Sequence, residues 1–109
     1  QFPDLVINIS EDAWFGQSIG PYQHFAQAIY RSVEEGVFVA RSANKGISGF
    51  IDPNGRLLKS LKINESGNIE YNFPHFNQST LFSNYGNKLF FLIILLYIFL
   101  TLIFKKLKI

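Results

Sequence analysis

Asp12, Glu34 and Arg41 are charged residues whose settings allow chemistry, and Trp14, Phe15 and Asn44 stand near them in sequence. Asp12 falls in a loop. A carboxylate there orients a substrate amine or satisfies loop N–H groups, and the second use is the commoner. Arg41 sits among apolar neighbours, so its charge needs an acid of the domain or a phosphate, with the structural pair favoured. Glu34 and Glu35 end a helical stretch, where acids gain nothing from the helix dipole. Glu34 is the candidate to meet a buried partner and hold a site from behind, and Glu35 reads as solvated face. Trp14 and Phe15 suit the mouth of a pocket, where large aromatic rings meet an apolar ligand, or equally a plug fastening the loop to the core. Asn44 and Gly46 shape a turn.

Other chemistry is excluded within these residues. The chain has no Cys, which removes disulfides, thiolate metal sites and a Cys nucleophile. His24 and His75 are far apart and lack metal-ligand spacing, so neither a zinc site nor another cofactor is expected. Residues 1–87 carry six basic residues against eight acids, whereas residues 88–109 carry four lysines and no acid. The basic excess flanks an apolar run rather than covering a domain face, which argues against nucleic acid as a partner.

The elements that must position these residues alternate between strand and helix patterns. Residues 4–10 form a short β-branched run that reads as a buried strand, followed by a loop over 11–20. Tyr22, Phe25, Ala26, Ile29, Tyr30 and Val33 give Pro21–Glu35 one helical stripe. Pro21 suits its first turn and Gly36 its close. Strands are expected over 37–42, 47–51 and 56–63. The last two are joined by Asp52-Pro53-Asn54-Gly55, a strong turn signal. Residues 68–73 read as one more short strand. The fold class is α/β, with a domain over 1–73, a linker over 74–87, a transmembrane helix over 88–105 and a tail over 106–109.

Leu89 to Phe104 is apolar throughout. At about 1.5 Å per residue it spans roughly 24 Å, short of a hydrocarbon core of about 30 Å. Flanking lysines can snorkel to make up the difference. Three lysines follow the span and only Lys88 precedes it. The positive-inside rule then puts the C-terminus in the cytoplasm and the preceding domain outside. The sequence does not begin with Met and enters a strand at once, so it is expected to be the tail of a longer protein.

Three segments carry a family resemblance: Asn8-Ile9-Ser10-Glu11-Asp12-Ala13-Trp14-Phe15-Gly16, Ser18-Ile19-Gly20-Pro21-Tyr22-Gln23-His24-Phe25 and Arg41-Ser42-Ala43-Asn44-Lys45-Gly46. Together they resemble the closing third of the apolipoprotein N-acyltransferases. Glu11 stands where that family usually has Asn. Thr80 to Gly86 matches the family's membrane junction only loosely.

The resemblance implies the C-terminal part of a nitrilase-like α-β-β-α sandwich, followed by one transmembrane helix in a bacterial inner membrane. It implies transfer of an acyl chain from a phospholipid donor to the N-terminal amino group of a lipoprotein acceptor, through a Cys thioester. The family's Cys, Glu and Lys lie upstream of the matching region. No catalytic residue is therefore expected in this chain, which alone should be inactive. Asp12, Trp14, Phe15, Glu34, Arg41 and Asn44 are the candidates for lining or supporting the substrate pocket. The alternatives are a soluble amidase or nitrilase of the same superfamily, and a membrane-tethered binding remnant.

Overall fold

The computed structural model describes residues 3–74 and 79–108; His75 lies outside them. Strands β1 (Leu5–Glu11), β2 (Phe38–Asn44), β3 (Ser48–Ile51) and β4 (Leu57–Leu61) form one sheet in the order β1-β2-β3-β4. β1 and β2 are parallel, and β2–β3 and β3–β4 are antiparallel. A parallel pair needs a crossover, and helix α1 (Gly20–Glu35) supplies it.

Alternation along β1 sets two faces. Val6 packs against the core beneath α1, with Phe25, Ala28, Val39 and Ile51 at its centre. Ile7 and Ile9 point the other way and are 69% and 83% exposed. Ile51 is fully buried, which stabilises by about 1.5–3 kcal/mol. The helical stripe divides in the structure. Phe25, Ala28 and Ser32 are buried, while Tyr22, Tyr30 and Val33 stay exposed. α1 closes at Gly36, whose φ of 67° is left-handed and whose N–H bonds Ser32 O at 2.9 Å.

The β3–β4 turn is built on Asp52, whose Oδ1 accepts from the N–H groups of Asn54 and Arg56. β4 is shorter than the sequence suggests. It stops at Leu61 because Asn64 enters a turn at φ 65°. Residues 68–73 form no strand. They run along the face that carries Ile7. Tyr71 lies 6.0 Å from Phe50, Phe73 5.7 Å from Phe38, and Glu70 O accepts from Lys59 Nζ. Their aromatic side chains thus cover part of an apolar face instead of extending the sheet.

The stretch read as a linker contains a short helix, α2 (Leu81–Tyr85). Its capping box pairs Thr80 with Ser83 in both directions. Ser takes the place usually held by Glu or Gln, which hides the signal in the sequence. The Thr80 hydroxyl also donates to the Glu34 carbonyl at the end of α1. Helix α3 spans Lys88–Leu107, two residues beyond the expected 88–105. At about 1.5 Å per residue, its 20 residues reach roughly 30 Å, the thickness of a hydrocarbon core, but that length includes Lys88, Lys105 and Lys106 at its ends. None of its residues is buried. Among the described residues it is the one helix long and apolar enough to cross a membrane.

Candidate functional site

The side chains that cluster are held by the C-terminal ends of β1 and β2 and the first turns of α1. Asn8 and Ser10 alternate with Ile7 and Ile9, so both face the helix side of the sheet. Arg41 is registered opposite Asn8 in the parallel pair. His24 lies one turn into α1, and Asp12 follows the last residue of β1.

Asp12 is the centre of the cluster and is 1% exposed. Its Oδ1 accepts from Ser10 Oγ at 2.6 Å and from His24 Nδ1 at 2.7 Å. Its Oδ2 accepts from Arg41 Nη2 at 2.9 Å. Arg41 is 4% exposed and also donates to Asn8 Oδ1 at 2.6 Å and Ile47 O at 3.2 Å. A carboxylate only accepts, so His24 carries its proton on Nδ1. The 3.4 Å approach of Arg41 Nη2 to Nδ1 then joins two donors and is a contact, not a bond.

Burial alone would raise the Asp12 pKa. The hydrogen bonds from Ser10 and His24 and the Arg41 and His24 charges outweigh burial, and they hold the carboxyl below the usual aspartate value. A lowered folded-state pKa contributes stability that is present above the unfolded pKa of about 4 and is lost as pH falls through the folded value. The sheet domain should therefore keep a level melting temperature from pH 5 upward, so far as Asp12 governs it, and lose stability below about pH 4. Asp12→Asn should flatten that acid limb in a thermal melt series.

Glu11 organises the loop from outside. Its carboxylate accepts from the Ala13 N–H and the Asn44 side chain, each at 2.9 Å. These bonds lower its pKa, the Asn44 bond most. Its carbonyl accepts from Trp14 Nε1 at 2.9 Å. The loop N–H role open to Asp12 in the sequence thus belongs to Glu11, and both Asp12 oxygens are committed to side chains. Asn44 ends β2 instead of turning. Its carbonyl accepts from Asp12 N, and the left-handed turn residue is Lys45, at φ 57°.

The two aromatics occupy different positions. They form a single 3-10 turn with Ala13 and stack at 4.7 Å. Phe15 lies over the start of α1, its ring 5.8 Å from His24. Trp14 is 78% exposed. Two glycines allow this packing: a Cβ on Gly20 would strike the Phe15 ring, and one on Gly46 would strike the Asp12 carboxylate. Gly46→Ala should cost about 1–3 kcal/mol by overpacking, read as a lowered urea midpoint. A midpoint equal to that of the unaltered chain would show that Asp12 has room to retreat.

Glu34 does not join the cluster. It lies at the far end of α1 and forms an exposed pair with Arg31 at 3.3 Å. Among the described residues, no three His, Asp or Glu side chains converge as a metal ion requires. Asn8, Ser10, Glu11 and His24 also belong to the cluster, although the sequence reading marks Glu11 only as a departure from the family pattern and His24 only as a histidine without metal-ligand spacing. For Asn8 and Ser10 the signal was present: two polar residues on one face of an apolar strand need buried partners.

The comparisons cover the same residues. The sequence model of the carbon-nitrogen hydrolase family matches residues 3–74, which takes in all four strands, α1 and every side chain around Asp12. An apolipoprotein N-acyltransferase of Rickettsia prowazekii (strain Madrid E) is 45% identical over 108 residues, 94% of this chain and 22% of that protein. One of Rickettsia bellii (strain RML369-C) is 46% identical over 107 residues, 95% of this chain and 21% of that protein. One of Rhizobium rhizogenes (strain K84 / ATCC BAA-868) is 48% identical over 67 residues, 62% of this chain and 13% of that protein. The chain spans about a fifth of the length of the two Rickettsia relatives. With an α/β sheet whose strand ends close on one buried carboxylate, and a family match across all of it, the chain belongs to the carbon-nitrogen hydrolase family.

Proposed function

We propose that this chain forms part of an apolipoprotein N-acyltransferase, which moves an acyl chain from a phospholipid to the N-terminal amino group of a lipidated lipoprotein. The supporting observation is the likeness to the Rickettsia enzymes along 94% of the chain, through both the sheet domain and α3. The chain contains no Cys, so the thioester would form on a residue outside it, and the chain alone should not turn over. In this reading Trp14, displayed on a loop fixed by Glu11 and Asp12, meets lipid or the acyl chain at the site's mouth. Asp12, Arg41 and Asn44 act as positioning residues. α3 crosses the bacterial inner membrane with its lysine-rich end in the cytoplasm, which leaves the sheet domain in the periplasm.

The test is a chimera in which this chain replaces the matching region of the R. prowazekii relative. Purified in detergent, it should transfer a labelled acyl chain from phospholipid to a diacylated lipopeptide. A chimera that folds and inserts yet leaves the lipopeptide unmodified contradicts the proposal. The soluble-amidase alternative has no use for α3, whose residues are all unburied.

A further inference from the structure

α2 (Leu81–Tyr85) is tied at both ends. Towards the sheet domain it packs on α1, with Phe82 and Ser83 half-buried. The Thr80 hydroxyl donates to the Glu34 carbonyl, one residue before α1 ends. That bond satisfies one of the carbonyls a helix leaves open at its C-terminal end. The same hydroxyl accepts from Ser83 N at 3.0 Å. The cap of α2 and the end of α1 thus share one oxygen.

Towards α3, only Gly86 and Asn87 intervene before Lys88. Three extended residues reach at most about 11 Å. This link is tighter, because Gly86 N bonds Phe82 O and Leu89 N bonds Gly86 O. With α3 across a bilayer, Lys88 marks the headgroup level. α2 then lies in the interfacial layer, about 5–8 Å deep, or at its edge. Its free side suits that depth. Leu81 and Tyr85 are four residues apart and share a helix face; they are 71% and 54% exposed. Leu brings apolar surface, and Tyr a ring with a polar tip, which suits the boundary of hydrocarbon and water. No acidic residue follows Glu70 in the chain, so no charge close to α2 in sequence is repelled by anionic headgroups.

We propose that α2 is a clasp that docks the sheet domain on the membrane surface. Leu81 and Tyr85 enter the lipid interface, and Thr80 fastens the C-terminal end of α1 above them. The inference rests on α3 crossing the membrane and not on acyl transfer. α1 then serves as a strut held at one end. His24 lies ten residues before Glu34, about 15 Å along the helix. The clasp therefore fixes the height of the Asp12 cluster over the bilayer, which a loose tether would leave free.

The full chain in phosphatidylcholine bilayers tests the clasp. Trp14→Phe removes the one tryptophan, and Tyr85→Trp or Phe99→Trp is added to that background. The lipids carry bromine either near the headgroup or near the end of the acyl chains. Phe99→Trp should lose emission mainly to the deep bromine, and Tyr85→Trp mainly to the shallow one. The chain has no Cys, so Arg31→Cys gives a single spin-label site one turn before Glu34. A nickel chelate on the lipid headgroups should broaden that label's spectrum. Thr80→Val should lose the broadening, and Thr80→Ser, which keeps a hydroxyl, should retain it. Melting curves confirm that the variants fold. A Phe99→Trp emission untouched by deep bromine overturns the membrane span and the clasp with it. With the span intact, a Tyr85→Trp emission untouched by either bromine, or undiminished broadening in Thr80→Val, overturns the clasp alone.

Discussion

Arg41→Ala should destabilise the sheet domain by about 3–5 kcal/mol, a large share of the 5–15 kcal/mol typical of a folded domain. Arg41 gives hydrogen bonds to Asp12, Asn8 and Ile47, and both charged partners are almost wholly buried. Removing the guanidinium leaves Asp12 with Ser10 and His24 but without its main countercharge. The magnitude follows from that stranded carboxylate rather than from the pair's net attraction. Replacing both partners, as in Asp12→Asn with Arg41→Met, should therefore cost less than the two single changes summed. Urea unfolding of the full chain in micelles, followed by Trp14 emission, measures the unaltered chain, Arg41→Ala, the two single changes and the double variant. A loss under about 1 kcal/mol for Arg41→Ala would place the pair with exposed salt bridges and contradict its burial.

Two arginines in the middle of α3 should abolish membrane insertion where one does not. Leu89 to Phe104 contains fourteen Leu, Ile and Phe residues. At about −0.3 to −0.6 kcal/mol each, they favour insertion by roughly 4–8 kcal/mol. Leu96→Arg removes about 3–4 kcal/mol of that, so the span survives. Leu96→Arg with Phe99→Arg removes about 6–8 kcal/mol and brings the balance to zero or beyond. Resistance of the membrane-bound chain to carbonate extraction reads the outcome. Unchanged behaviour of the double variant would mean that α3 is held by protein and not by lipid.

The parts legible in the sequence are those with a local cause. The β-branched run of β1, the Pro21 and Gly36 ends of α1 and the Asp52–Gly55 turn each depend on neighbours a few residues apart, and all four strands formed near their expected places. Arg41 was also readable as a charge needing an acid. That the acid is Asp12, 29 residues away in sequence, depends on β1 and β2 pairing in parallel register, which no local pattern encodes. His24 was legible only as a histidine without metal-ligand spacing, and its pairing with Asp12 depends on the same tertiary register. The strand expected over 68–73 failed because its aromatics found the exposed sheet face. α2 was missed because its capping box uses Ser83.

Three separated segments meet on Asp12, and the His24 ring reports that meeting most directly. The measurement is the ¹⁵N spectrum of the imidazole in the full chain at neutral pH, compared with Asp12→Asn. The geometry predicts a protonated, hydrogen-bonded Nδ1 whose resonance moves in the variant while the rest of α1 stays in place. A freely exchanging imidazole whose two nitrogens are indifferent to Asp12→Asn would contradict it.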